Sequence, residues 1–282
     1  MQSIDLAKEL PAFWKATKDF LNSEFTAAFL SALAGAGLGV LGAQRVAERA
    51  TKRKELVDAL RQANALIVLA STICNQALSV KNQHVGPIAS QYFRDRAEAE
   101  PVNAALLAGR TPDRALHFQA NLVKITPLTV PIDALKNLTY AAQLMPGRAL
   151  ALVSMVEQAL TELGHAIQVR QEQVEQFRAE DMSVELKAQT YFGLKRRDGN
   201  TDSLYHDSMV AIAQYTDDIA FFSAELAEDL QAHAVRVRER LTKLTKEAPK
   251  ATTVDFSGAR ESGLLPPREA YEAWLAGFKS QD

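Results

Sequence analysis

The chain has 282 residues, of which 47% are hydrophobic and 23% are charged, and its formal net charge at pH 7 is −2. This charge argues against nucleic acid as a general ligand, because a nucleic-acid-binding domain is strongly basic. A single cysteine, Cys74, excludes an internal disulfide framework and a zinc site built from several cysteines. Aromatic residues make up only 7%. Such a chain, rich in Ala, Leu, Glu and Gln and poor in strand patterns, is predicted to be all-α.

Residues 1–24 mix apolar and charged side chains. The pattern predicts a short amphipathic helix that lies at a membrane interface, with Trp14 as its anchor. A polar terminus without regular structure is the alternative interpretation.

Residues 25–44, FTAAFLSALAGAGLGVLGAQ, contain no charge. Gly37, Gly39 and Gly42 spell G-x-G-x-x-G, the motif of a dinucleotide-binding turn. That turn must follow a buried strand. The preceding residues 25–34 instead contain four alanines and neither Val nor Ile, which favours helix. We therefore expect no cofactor at this motif.

The same uncharged run fits a transmembrane helix, because about 20 residues span the ~30 Å apolar layer of a bilayer. Ser31, Gly35, Gly39 and Ala43 recur at every fourth position, and such a ridge of small residues lets membrane helices pack closely. The prediction is a homo-oligomer that associates through this ridge within the lipid bilayer. The alternatives are an Ala/Gly-rich helix buried in a soluble bundle and a signal peptide cleaved near Ala36.

The charges beside the run predict its orientation. Three lysines precede it, whereas six Lys or Arg residues follow it between Arg45 and Arg61. An excess of Lys and Arg marks the cytoplasmic side of a membrane helix. We therefore expect a single-pass protein of the bacterial inner membrane, with residues 45–282 in the cytoplasm.

Residues 45–248 are predicted to form a cytoplasmic helical bundle, with long helices at about 44–83, 147–178 and 202–247. Gly86-Pro87 and Pro101 are expected to end a first and a second helix. Residues 101–131 are irregular, with a brief strand near 116–122 as one interpretation.

The second and third long helices carry matching apolar stripes. Val153, Val156, Leu160, Leu163 and Ile167 follow alternating steps of three and four. A sustained heptad pattern indicates a coiled coil, so an antiparallel hairpin with the membrane-proximal helix alongside is expected. Arg170 interrupts this seam, either as a buried ionic contact or as an arginine whose head reaches solvent.

Residues 249–282 are predicted to be a linker followed by a short C-terminal helix. Tyr271, Trp274 and Phe278 share one side of that helix. An exposed apolar side must dock on the chain's own bundle, on a neighbouring subunit or on a partner protein.

The search for chemistry finds no catalytic, cofactor-binding or metal-binding residue, and we do not expect an enzyme. Asp198-Gly-Asn200-Thr-Asp202 begins like a calcium loop but lacks its glycine and its final glutamate. Lys195, Arg196 and Arg197 just before it are candidates for contact with a phosphate or another ligand. The acid pairs Asp217-Asp218 and Glu228-Asp229 are interpreted as solvated surface.

The layout of residues 25–54, followed by the heptad seams, resembles that of bacterial single-pass membrane effectors of anti-phage defence systems. No family motif is matched, so the resemblance implies an activity but assigns no residue. It implies an oligomeric pore-forming or membrane-disrupting effector, such as an ion channel, gated by its cytoplasmic bundle through an unknown trigger. A membrane-tethered scaffold that binds a partner through the bundle or the C-terminal helix is the alternative function, and a soluble helical protein is the third.

Overall fold

The structure, a computed structural model, describes Lys18 and residues 24–112, 114, 119–142, 147–179 and 182–278, with side chains given for Lys18 and from Ala43 onward. Within these residues every regular element is a helix, so the all-α prediction is confirmed. Extended backbone pairs there only at one isolated antiparallel bridge, between Lys195 and Thr201.

The described helices follow one another in chain order. They are α1 (Glu24–Val80), α2 (Gly86–Leu107), α3 (Ile132–Ala141), α4 (Gly147–Ala179), α5 (Val184–Phe192), α6 (Leu204–Thr242), α7 (Ser257–Glu261) and α8 (Glu272–Ala276). A π-helical turn, Lys81–Val85, joins α1 to α2, and a 3-10 turn, Arg268–Tyr271, precedes α8. Of the brief strand interpreted near 116–122, residues 116–118 lie outside the described residues and 119–122 form no strand.

Helix α6 lies at the centre of the bundle, with α1 and α4 packed along it. Both neighbours run antiparallel to α6: on the α4 side Arg148 pairs with Asp229 while Arg170 contacts Met209. On the α1 side Cys74 donates to the carbonyl of Ala220 at 3.5 Å, and Lys81, just beyond the end of α1, lies 2.6 Å from Asp217. Nine consecutive residues of α6, 219–227, are buried. A helix buried all round must be covered on every side, and the C-terminal segment covers this stretch together with α1 and α4.

The chain does not leave the helical path at Gly86-Pro87, and that prediction is wrong. The N–H of Gly86 donates to the carbonyl of Lys81, five residues earlier, and so continues the π-helical turn into α2. A Cβ at Gly86 would lie 2.8 Å from that carbonyl oxygen, so glycine permits the turn instead of ending the helix. Pro87 then occupies the first turn of α2, where the backbone angle of proline fits the helix.

Pro101 also fails to end a helix, since α2 continues through it to Leu107. Proline removes one helical hydrogen bond. The face that carries Tyr92, Ala99 and Asn103 is nevertheless buried, and this burial on both sides of the proline holds α2 together.

Helix α1 has two distinct parts. Of the residues whose side chains are described, 43–55 are all exposed and Leu56 is the first to be buried. From there Leu60, Ala63 and Ile67 continue a buried stripe against the bundle. The first part therefore stands outside the bundle as a single helix, here called the stalk (residues 43–55).

Candidate functional site

The predicted membrane run lies within α1, whose backbone is helical from Glu24 onward. The side chains of Ser31, Gly35 and Gly39 fall outside the described residues, as does Trp14. Ala43, the last member of the ridge, is exposed.

One helical span among the described side chains, Ala43–Leu107, is long and apolar enough to cross a membrane. It differs from the predicted run at 25–44, which precedes it. Only 39% of its most apolar window is buried inside the bundle. Because core helices of soluble bundles meet the same criterion, this span by itself places no residue in a bilayer.

The stalk is basic and unpaired. Five cations, Arg45, Arg49, Lys52, Arg53 and Lys54, are exposed on it. In the described part of the chain no carboxylate lies within 4.0 Å of any of them. The stalk therefore presents a net positive charge immediately after the uncharged run.

Two of the three basic side chains in the Lys195–Arg197 loop contact other residues of the same chain. Arg196 donates to Thr190 Oγ1 at 2.8 Å and lies 3.4 Å from Asp202, and Arg197 lies 3.5 Å from Glu185. Lys195 is exposed, and its carbonyl accepts from Asn103 at 2.9 Å. Two of the three candidate ligand contacts thus serve the fold of their own loop.

The polar turn after that loop is closed by its own side chains. The carboxylate of Asp198 accepts from the backbone N–H of Asn200 at 2.9 Å and from its side-chain amide at 3.1 Å. The first of these bonds holds the pKa of Asp198 below its usual value. Within the described residues, no group of three or more His, Cys, Asp or Glu side chains is arranged to hold a metal ion.

Arg170 adopts neither of the two arrangements that the sequence suggested. Its side chain is fully buried, so it does not reach solvent, and within the described residues no carboxylate pairs with it. It donates to the carbonyls of Val123 (2.8 Å) and Asn121 (3.0 Å), and its Nε lies 3.2 Å from Met209 Sδ. Arg170 thereby attaches the extended segment 119–131 to the junction of α4 and α6.

Aromatic rings enclose the guanidinium of Arg170. It lies 5.5 Å from the ring centroid of Tyr205, which stacks on Tyr191 at 4.4 Å. Burial raises the pKa of Tyr205. Tyr92 donates to the carbonyl of Tyr191 at 3.1 Å and lies 3.0 Å from Nδ1 of His206. Burial, and next the nearby charge of Arg96, lower the pKa of His206. These rings form a rigid aromatic end of the bundle.

A second polar centre surrounds Glu225, whose side chain is 3% exposed. Arg148 of α4 and Arg268 of the C-terminal segment both donate to Glu225 Oε2, the second at 2.8 Å. Arg148 also lies 3.0 Å from Asp229, and Arg260 forms a two-pronged pair with Glu228 at 2.7 and 2.9 Å. The acids Glu228 and Asp229 are therefore structural partners, and their interpretation as solvated surface is wrong. Burial raises the pKa of Asp229 despite Arg148.

The predicted docking residues of the C-terminal helix pack on the chain's own bundle. Tyr271 stacks on Phe221 with ring centroids 3.8 Å apart and donates to Asp218 at 2.6 Å. Trp274 meets Phe222 edge-on at 5.0 Å. Phe278 packs on Trp274 but remains 41% exposed. Self-docking, one of the three expected options, is the arrangement observed.

Lys81 connects three elements at the π-helical turn. Its ammonium group donates to the carbonyl of Leu264 at 2.7 Å and lies 2.6 Å from Asp217 of α6. These contacts link the end of α1 to α6 and to the C-terminal segment. π-Helical turns often occur at functional positions. Asp217 is therefore also paired, contrary to its interpretation as solvated surface.

No local pattern in the sequence marks the Glu225 centre. Glu225 sits one residue before Leu226 in an apolar stripe, and its partners Arg148, Arg260 and Arg268 come from two distant segments. No protein-family model matches the chain, and no curated protein or solved structure is significantly similar to it.

Proposed function

We propose that this protein is a membrane-anchored, homo-oligomeric effector that perturbs the bacterial inner membrane under the control of its cytoplasmic bundle. The observation that carries the proposal is the continuity of α1. One helix passes from Glu24 to Val80 without a break, and among its residues from Ala43 onward the first to be buried is Leu56.

The exposed part of α1 supports the anchoring step. The stalk is about 20 Å long at 1.5 Å per residue, and no bundle helix covers its residues. A solitary helix gains most of its stability from packing of an apolar face. The uncharged run that precedes the stalk obtains such packing from lipid and from copies of itself.

The continuity of α1 supports the control step. A rigid helix transmits a displacement of the bundle to the membrane run without a flexible linker. The contacts of Lys81 with Asp217 and Leu264 supply a point where rearrangement of α6 or of the C-terminal segment would reach α1. A trigger that binds the bundle would act through this connection.

The experiment replaces both ridge glycines, Gly35→Leu and Gly39→Leu, in the full chain. We expect the double variant to lose its oligomeric mass in detergent and its leakage of ions from cells, with the helical circular dichroism unchanged. The matched control places Leu at Ala34 and Gly37, which fall on the side of the same helix away from the ridge. A scaffold would instead tolerate the glycine changes, and that outcome would overturn the proposal.

A further inference from the structure

Two basic segments that are far apart in sequence meet at one end of the bundle. The contact between Cys74 and Ala220 sets the register of α1 against α6. Because the helices are antiparallel and rise equally per residue, Lys52 lies level with Thr242, the last residue of α6. The stalk and residues 236–250 therefore share one end, here called the basic end.

The basic end concentrates the positive charge of a chain that is otherwise acidic. Six cations from residues 236–250 join the five of the stalk, against four carboxylates in the two segments. The whole chain has 32 cations and 34 carboxylates, so the remainder is strongly negative. The six are Arg236, Arg238, Arg240, Lys243, Lys246 and Lys250.

These cations are available to a ligand. All eleven are exposed. Within the described residues no carboxylate lies within 4.0 Å of any of them. Arg238 donates to the carbonyl of Pro249 at 3.2 Å. Their field is felt by His233, whose pKa is lowered first by burial and then by Arg236 and Arg240.

The place of the basic end in the molecule indicates which polyanion it meets. The uncharged run ends at Gln44, and eight residues of helix bring the level of Lys52 to about 12 Å beyond it. This distance is comparable with the screening length of about 8–10 Å at physiological salt. Neither segment contains an aromatic residue, so neither offers the stacking platforms of a single-strand nucleic-acid site.

We propose that the basic end binds the anionic phospholipid headgroups of the membrane in which residues 25–44 are anchored, an inference that rests on the proposed anchoring. Clusters of Lys and Arg beside a membrane helix bind anionic lipid surfaces in this way. The contact brings the C-terminal end of α6, near Thr242, onto the bilayer and fixes the tilt of the stalk.

The test measures how close the C-terminal end of α6 lies to the lipid surface. The full chain with Thr242→Cys is labelled with a donor dye and reconstituted in phosphatidylcholine bilayers, with or without phosphatidylglycerol, that carry a headgroup acceptor. The wild-type chain is the labelling blank, since its one cysteine is buried. We expect energy transfer to be higher with phosphatidylglycerol and to fall to the phosphatidylcholine level in about 1 M salt, where screening is short-ranged.

Charge variants assign the effect to the basic end. The triple variant Arg240→Gln, Lys243→Gln, Lys246→Gln should lose most of the increase. The control triple Arg94→Gln, Arg110→Gln, Lys195→Gln removes the same charge from exposed positions away from this end and should keep it. Equal transfer in both bilayers, equal loss in both triples, or tighter binding to duplex DNA than to phosphatidylglycerol vesicles would each overturn the proposal.

Alkaline extraction of the same vesicles tests the anchor separately. A chain retained in both bilayers without a lipid-dependent change in transfer keeps the anchor and refutes headgroup binding. A chain extracted from both bilayers refutes the anchor. If that chain then floats with phosphatidylglycerol vesicles at low salt and not at high salt, headgroup binding by the basic end is still supported. If it does not float with them at low salt, headgroup binding is refuted as well.

Discussion

Arg170 shows how a charged residue can occupy an apolar seam. Its guanidinium is fully buried and is stabilised by two main-chain carbonyls, a methionine sulfur and the face of Tyr205. A buried charge is costly unless its hydrogen bonds are satisfied. Here the same hydrogen bonds satisfy carbonyls of residues 119–131, a segment that forms no helix or strand. They offset the cost of burying the guanidinium and attach this segment to the bundle.

Replacing Arg170 by methionine should therefore destabilise the protein. The change keeps the apolar volume but leaves the carbonyls of Asn121 and Val123 without this donor. The carbonyl of Asn121 still accepts from Tyr205 at 3.2 Å, and Val123 is exposed, so neither carbonyl is left as a buried unsatisfied group. At about 1.5–3 kcal/mol for a hydrogen bond to a charged group, we expect a loss of roughly 1.5–3 kcal/mol, measured from the urea midpoint. Arg178→Met is the matched control. Arg178 is exposed and binds the carbonyl of Leu122 at 3.0 Å, and its loss should cost under ~1 kcal/mol. Equal midpoints for the two variants would refute the role of Arg170.

His233 reports the charge of the basic end. Its pKa is lowered by burial, then by Arg236 and Arg240. Its neutral form therefore contributes stability that is full above the unfolded pKa of about 6.5 and is lost as the pH falls through the folded value. The contribution of the two arginines is screened by salt.

We expect the pKa of His233, followed by NMR of its imidazole C–H, to rise as the salt concentration increases. In the variant Arg236→Gln, Arg240→Gln the pKa should already be higher, and most of the salt dependence should be gone. A wild-type pKa that does not change with salt would show that burial alone sets it.

At the scale of the elements, the spacing of apolar residues predicted the buried helix faces correctly, whereas glycine and proline did not mark the helix ends. The apolar steps on α4 and α6 predicted buried faces, because a helix that packs on one side must repeat its apolar residues with the helical period. The helix ends predicted at Gly86-Pro87 and Pro101 are not observed, because glycine and proline end a helix mainly where no tertiary contact holds its backbone. The close approach of the Lys81 carbonyl at Gly86 and the buried face around Pro101 depend on tertiary contacts.

The polar centres were beyond sequence reasoning for a related reason. Glu225 and Arg170 lie among apolar residues of their own helices, and nothing local marks the partners that neutralise or enclose them. Arg148, Arg260 and Arg268 come from the start of α4 and from the C-terminal segment, and only the fold brings them to α6.

The C-terminal segment is an element whose attachment depends on Glu225. Glu225→Gln removes the negative charge to which Arg148 and Arg268 donate. Breaking a buried pair costs about 3–5 kcal/mol. These arginines are 25% and 54% exposed, so we expect a smaller loss of roughly 1–3 kcal/mol.

That loss should appear as faster trypsin cleavage at Lys250, Arg260 and Arg268. Glu239→Gln on the exposed surface of α6 is the matched control and should leave the cleavage rate unchanged. Cleavage at the wild-type rate in Glu225→Gln would show that the stacking of Tyr271 on Phe221 suffices to hold the segment.

At the scale of the whole molecule, the two ends of the bundle differ in chemistry. The end of α6 near Tyr205 is closed by stacked aromatic rings, whereas its other end, about 58 Å away along the helix, is basic and carries the stalk. The unbroken path of α1 from Glu24 to Val80 joins the uncharged run to the bundle through that basic end. Anchoring by residues 25–44 is the claim on which the proposed effector function depends.

Alkaline extraction of membranes from cells that express the full chain with a C-terminal tag tests this claim most directly. Alkaline carbonate releases proteins that are held at the surface by charge and leaves membrane-spanning helices in the bilayer. We expect the chain to stay in the membrane pellet. A variant with Leu33→Lys and Val40→Lys in the uncharged run should not stay there, because a central lysine costs about 2.5–3.5 kcal/mol on insertion. A wild-type chain that moves to the supernatant would refute the anchor, since residues 25–44 would then be part of a soluble helical assembly.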